Sequence, residues 1–212
     1  ISDGHLYKAN DMVKADCGGC NGCSRCCHGM GNSIILDPYD VYRMTTGMGK
    51  SMQELLAASV ELNVVDGVIL PNLKMQGTEE ACAYLDEEGR CSIHPYRPGI
   101  CRLFPLGRYY ENGGFSYFLQ TGECAKENRS KIKVSKWIDT PDLTRNQQFT
   151  LQWHDLLHAM EERLTGEDEG KQREENLLLL RLFYLLPYEG TIDFYTQFTE
   201  RMEHWNGQNG QI

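Results

Sequence analysis

Five of the nine cysteines in this 212-residue chain crowd into one short string, Cys17, Cys20, Cys23, Cys26 and Cys27, at successive Cys-x2-Cys spacing with a doubled end. Thiolate sulfur is a ligand for zinc and iron, and a spacing of three lets a tight turn aim successive sulfurs at one ion. Gly18, Gly19 and Gly22 stand between them and supply the positive φ values that such wrapping needs. A second set, Cys82, Cys91, Cys101 and Cys124, lies farther along the chain. Folding must bring these four in, to close the same site or build another, so all nine cysteines are candidate ligands.

A disulfide framework is the competing use of so many cysteines. Consecutive Cα atoms lie about 3.8 Å apart, short of the usual disulfide span of about 4.4–6.8 Å, so Cys26 and Cys27 do not readily pair. An odd total leaves one thiol over, and a chain of this length has core enough without staples. Ligation in a reducing compartment, the cytoplasm, is the expectation.

Several thiolates in one loop repel unless cations neutralise them, and metal binding also removes their protons. Lys14, Arg25, Arg97 and Arg102 are placed in sequence to offset the remaining charge, with Lys14 better read as a solvated surface residue. Arg97 and Arg102 are the candidate cofactor-binding residues. Pro95 and Pro98 restrict the backbone around them, and Phe104 is expected to shield the site. His94, three residues after Cys91, has ligand spacing, but a histidine packed locally is the preferred reading. Counting does not separate the metals: zinc takes four thiolates per ion, and each iron–sulfur cluster takes four as well. The adjacent Cys26 and Cys27 tilt the reading toward iron, on the expectation that neighbouring sulfurs diverge to serve different metals of a polynuclear assembly. An iron–sulfur cluster is therefore expected, [4Fe–4S] favoured, with zinc or iron ions as the alternative.

The segment from Cys20 to Cys27, followed by Gly89 to Pro105 with the order Gly-Arg-Cys-Ser-Ile-His-Pro-Tyr-Arg-Pro-Gly-Ile-Cys-Arg-Leu-Phe-Pro, resembles the YkgJ family of cysteine-cluster proteins. The likeness covers about the first 125 residues, and Cys82 and Cys124 suit the family's flanking cysteines. It implies a zinc- or iron-chelating domain, and the family includes a flagellin lysine N-methylase relative with an iron–sulfur cluster. Cys17 adds one cysteine to the family's usual opening of four.

The elements that must position these residues read as α+β. The cysteine loop precedes a helix opened by Asp37 and Pro38, with Val41, Met44 and Met48 at helical spacing, and a second capped by Ser51, with Leu55, Leu56 and Val60. Methionines at that spacing, Met44, Met48 and Met52, are core filler rather than soft-metal ligands. From about Val64 to Leu119 short hairpins are expected, one turning at Asn112–Gly114. Thr140, Pro141 and Asp142 predict the start of a helix through Leu164, stopped by Thr165 and Gly166. A second is expected over Glu174–Leu186, buried nearly all round. A third begins near Thr191, with Tyr195, Phe198, Met202 and Trp205 on one face, before a disordered tail rich in Gly, Asn and Gln. The expected division is a cysteine-cluster module over 1–130 and a helical region over 131–212 packed on it, the helices offering a surface for a protein partner.

A formal net charge of −9 argues against nucleic acid and acidic membranes as partners. No apolar run approaches the roughly 20 residues of a membrane helix. The opening at Ile1 reads as a processed, tagged or trimmed product, leaving open any targeting segment upstream. One rival signal remains. His154 and His158 sit four apart as in a zinc metalloprotease helix, but Asp155 stands where glutamate acts as base, and a partly exposed histidine pair is the preferred reading. The functional expectation is a metal-binding protein with a redox or modification role, with a zinc-stabilised non-catalytic binding module and a lysine N-methylase-like enzyme as alternatives.

Overall fold

The computed structural model describes residues 2–18, 23–126 and 128–209. Cys20, Gly19 and Gly22, and residues 210–212 of the tail expected to be disordered, lie outside the described residues. In chain order the elements are β1 (Met12–Asp16), α1 (Pro38–Met48), α2 (Met52–Ala58), β2 (Val60–Val65), β3 (Val68–Leu73), β4 (Met75–Gln76), β5 (Ala81–Cys82), α3 (Gly99–Leu103), β6 (Leu106–Glu111), β7 (Gly114–Leu119), β8 (Ser130–Lys133), α4 (Val134–Ile138), α5 (Leu143–Leu164), α6 (Glu169–Leu180) and α7 (Phe194–Asn209). The strands form antiparallel pairs, β1 with β8, β2 with β3, β4 with β5 and β6 with β7, and the C-terminal part is helical. This is the α+β texture that the sequence predicts.

Contacts group the chain into two compact units, and the grouping is not sequential: Ile1–Gly31 with Met75–Leu151, and Asn32–Lys74 with Gln152–Ile212. In the first unit β6 and β7 turn at Asn112 and Gly113, whose φ values of +50° and +68° suit a tight hairpin. Strand β1 alternates, turning Val13 and Ala15 inward and leaving Lys14 exposed. These two join Leu103, Leu106, Tyr117, Leu119, Val134 and Ile138 in one apolar cluster. Trp137 packs on its edge and its indole N–H donates to the Leu103 carbonyl at 3.2 Å. Thr140 does not cap α5, as the sequence suggests. Its hydroxyl accepts from Arg102 Nη1 at 2.9 Å, and the helix starts after Asp142, which holds φ at +46°.

In the second unit α1 opens with a reciprocal cap, Asp37 accepting from the Asp40 amide and Asp40 from the Asp37 amide, and closes on left-handed Gly49. Ser51 and Glu54 repeat the device on α2. Val60 is not part of that helix. It opens β2, and β2 turns into β3 through Asp66 and Gly67, both at positive φ. Asn176 on α6 anchors to this hairpin, accepting from the Ile69 amide at 2.6 Å and donating to the Gly67 carbonyl at 3.2 Å.

Helix α6 begins earlier than expected because Asp168 caps it, accepting from the Gly170 and Lys171 amides. It is not buried all round: Leu177 is 55% exposed. After Leu180 the helix widens into a π turn, Arg181–Leu185. Arg201, buried on α7, gathers the carbonyls left there, reaching Leu182 and Leu186 through Nη1 and Pro187 through Nη2 at 2.8–3.1 Å. Its guanidinium carbon lies 3.5 Å from the centre of the Tyr188 ring. Phe194, Phe198, Arg201 and Trp205 form the buried stripe of α7, with Tyr195 and Met202 at its half-buried margin. Met44 and Met52 are buried, as core filler should be.

Candidate metal centre

The doubled end of the cysteine string forms a 3-10 turn over Arg25–Cys27, with the Cys27 amide donating to the Ser24 carbonyl at 2.8 Å. The next two residues tie the turn to the short strand that carries Cys82. His28 bridges to Ala81, and the Gly29 amide donates to the Glu80 carbonyl at 3.0 Å. The loop from Cys82 to Cys91 is folded back by Asp86, whose Oδ1 accepts from the Arg90 amide at 2.7 Å and the Glu88 amide at 3.1 Å. Gly89 takes φ of +72° in that turn, and Leu85 then bridges to Cys91. A second 3-10 turn, His94–Tyr96, leads through Pro98 into α3, which carries Cys101.

These local folds bring Cys26, Cys27, Cys82, Cys91 and Cys101 close enough for their charges to act on one another. The eight described cysteines are free thiols, so the disulfide framework is absent among the described residues. The adjacent pair does not diverge, contrary to expectation: the Cys27 thiol donates a hydrogen bond to the Cys26 sulfur. That bond, a backbone amide and the nearby Arg97 guanidinium outweigh burial and pull Cys26 down to about 6. Cys27, which holds the shared proton, is pushed far up by the same bond and by burial.

Cys82 and Cys91 are raised chiefly by burial. Each sulfur nevertheless accepts an amide two residues on, Tyr84 N–H at Cys82 and Ile93 N–H at Cys91, and these donors favour the thiolate. Arg97 favours the anion at Cys91 as well. Without a metal the arrangement stabilises one thiolate best. A cation drawn into it displaces the remaining protons, which is how thiol ligands couple metal affinity to pH. Among the described residues no group of three or more His, Cys, Asp or Glu side chains closes to ligand spacing. The chemistry of the donor set still fits a thiophilic metal: half-buried sulfurs, amides aimed at two of them, and one guanidinium in range.

The other candidates fall in different places. Cys17 follows β1 directly, Cys23 leads into the 3-10 turn, and Cys124 lies in the bends after β7; all three are half-buried. Arg97 stands by the thiols, whereas Arg102 is buried with Nη1 on Thr140. Arg25 is exposed, as is Lys14, which matches a solvated role for the lysine. His94 is not packed locally, as the sequence suggests. It is exposed on its turn, and partial burial together with Arg97 and Arg90 lowers its proton affinity. His154 and His158 are partly exposed, beside Asp155 at 3.4 Å and Glu162 at 3.7 Å respectively. The amides of Tyr84 and Ile93 are the contributors that sequence reasoning missed. Their signal was present in the spacing, because an amide two residues after a cysteine can fold back onto its sulfur.

Small antiparallel strand pairs with a helical C-terminal part make this an α+β protein. The family model for CxxCxxCC, described as "Putative zinc- or iron-chelating domain", matches residues 19–149, and the chain belongs to that family. No curated protein and no solved structure matches it. Among the described residues no helix is long and apolar enough to cross a membrane.

Proposed function

We propose that the clustered cysteines hold iron as an iron–sulfur cluster, [4Fe–4S] favoured, and that the protein serves electron transfer or redox-linked modification in a reducing compartment such as the cytoplasm. The observation that supports this is the number of sulfurs in one charge neighbourhood. Cys26, Cys27, Cys82, Cys91 and Cys101 supply the four thiolates that one cluster needs, as they would for one zinc ion, in a chain of a zinc- or iron-chelating family. When bound, such a cluster supplies one-electron chemistry. The chain's own residues do the rest: the cysteines ligate, Arg97 offsets anionic charge, and the Tyr84 and Ile93 amides hold sulfur orientation.

The competing outcome is a zinc-stabilised binding module without catalysis. Anaerobic purification followed by iron, sulfide and zinc analysis separates the two. Brown absorbance with iron and sulfide in near-equal amounts supports the cluster. Colourless protein carrying only zinc overturns it in favour of the binding module.

A further inference from the structure

Strands β2 and β3 pair without a bulge, from Val60 opposite Leu73 to Val65 opposite Val68. In an antiparallel ladder, alternate residue pairs turn their backbone N–H and C=O away from the partner strand. On β3 the outward residues are identified by what they bond. The Pro71 carbonyl accepts from the Leu36 amide at 2.8 Å, the Leu73 amide donates to the Ile34 carbonyl at 3.0 Å, and the Ile69 amide donates to the Asn176 side chain. Leu62 faces Pro71 and Val64 faces Ile69, so Leu62 and Val64 point their own N–H and C=O outward from β2.

The hairpin therefore has one covered edge and one bare one. Residues 34–36 and Asn176 close the β3 side, whereas among the described residues nothing meets the backbone N–H or C=O of Leu62 or Val64. The side chains of these two residues are 43% and 66% exposed. No lysine, proline or bulge guards residues 62–65, although such devices ordinarily keep a bare edge from pairing. The Glu61 carboxylate lies on the opposite face, where Oε1 accepts from the Asn63 and Asn72 side-chain amides at 3.3 and 3.2 Å.

We propose that β2 is a self-association edge, which pairs antiparallel with β2 of a second copy about a two-fold axis at Asn63. In that register Leu62 of each copy lies opposite Val64 of the other, so outward donors meet outward acceptors. The four apolar side chains share one face, as cross-strand pairs do. Glu61 and Asp66 meet Val65 and Val60 of the other copy, so no like charges stand directly opposite. A second copy fits better than a loose peptide because its strand is already held extended by β3, and pre-organisation removes the ordering cost of binding. The edge is independent of the metal centre, since every cysteine belongs to the other unit.

The test uses the full chain purified anaerobically, with wild type, Val64→Pro and Val64→Lys compared by sedimentation over a range of concentrations. Proline removes the outward N–H while sparing the bonds to β3, and lysine places a charge on the edge without touching the backbone. Wild type should dimerise reversibly, and each variant should weaken the dimer by at least about tenfold, since two symmetry-related contacts are lost. Amide hydrogen exchange gives a second readout: Leu62 and Val64 should become protected as concentration rises. A wild-type chain that stays monomeric to its solubility limit overturns the proposal and leaves the edge to an extended segment of another protein. A dimer that Val64→Lys leaves intact, or one in which the Leu62 and Val64 amides exchange freely, also overturns it. So does protection of those amides that persists in the dilute monomer, because the edge is then covered from within the chain.

Discussion

The two units solve the problem of staying folded in different ways. The second, Asn32–Lys74 with Gln152–Ile212, is held by large side chains: Phe183, Tyr184, Phe194, Phe198 and Trp205 are all but fully buried. Trp153 meets Phe183 at 5.1 Å and Tyr184 at 5.9 Å between ring centres, edge to face. The first unit has one modest cluster around Leu106 and Tyr117, and its cysteine loops are tied by single bridges and a few amides. Apolar burial organises one unit, while in the other the loops carrying Cys26, Cys82, Cys91 and Cys101 need something besides burial to fix them. On the proposed reading a metal supplies it, its ligand bonds standing in for the apolar contacts these loops lack.

Stripping the metal is the strongest way to break this contrast. Structural zinc contributes about 10–16 kcal/mol in small peptides, comparable with the roughly 5–15 kcal/mol stability of a whole domain. A chelator should therefore abolish amide hydrogen-exchange protection around residues 82–104 while the amides of α6 and α7 keep theirs. Equal loss in both units contradicts the contrast. The converse variant, Phe183→Ala, should cost about 3–5 kcal/mol by cavity formation. Its metal content per folded chain should equal that of wild type, as measured by denaturant melts alongside elemental analysis.

Arg201→Met leaves the carbonyls of Leu182, Leu186 and Pro187 without their donor. A loss of about 1–3 kcal/mol is expected, confined to the second unit. The smallest effect concerns Tyr7, whose hydroxyl donates to Asp3 at 2.5 Å. Burial and the Asp3 carboxylate raise it to about 12. The folded form holds this proton more tightly than the unfolded chain, whose tyrosines titrate near about 10. Its contribution to stability is thus complete below about pH 10 and lost as pH rises toward about 12. Asp3→Asn should move the ultraviolet titration of Tyr7 down toward the ordinary value, and an unmoved midpoint refutes the assignment.

What could be read from the residues was what is decided locally. The caps at Asp37 and Ser51, the turn at Asn112 and Gly113, the helical stripes and the cysteine string all rest on interactions within a few positions. The errors have a common physical origin in longer-range order. Val60 has helical spacing from Leu56, but pairing with Leu73 draws it into a strand. Thr140 looks like a cap until Arg102, 38 positions earlier, claims its hydroxyl. The gathering of the thiols depends on the bridge from His28 to Ala81, which no local pattern announces. The hydrogen bond between Cys26 and Cys27 runs against the expectation that neighbouring sulfurs diverge, and four thiolates suit zinc and a cluster alike, so elemental analysis rather than the cysteine pattern separates the two metals.

X-ray absorption at the iron and zinc edges of the anaerobically purified chain tests the central claim most directly. A first shell made of sulfur at about 2.3 Å, lost together with the metal in a Cys26→Ser, Cys82→Ser and Cys91→Ser variant, is the predicted result. A shell of nitrogen or oxygen at about 2.0–2.2 Å, or a sulfur shell that survives those substitutions, contradicts it.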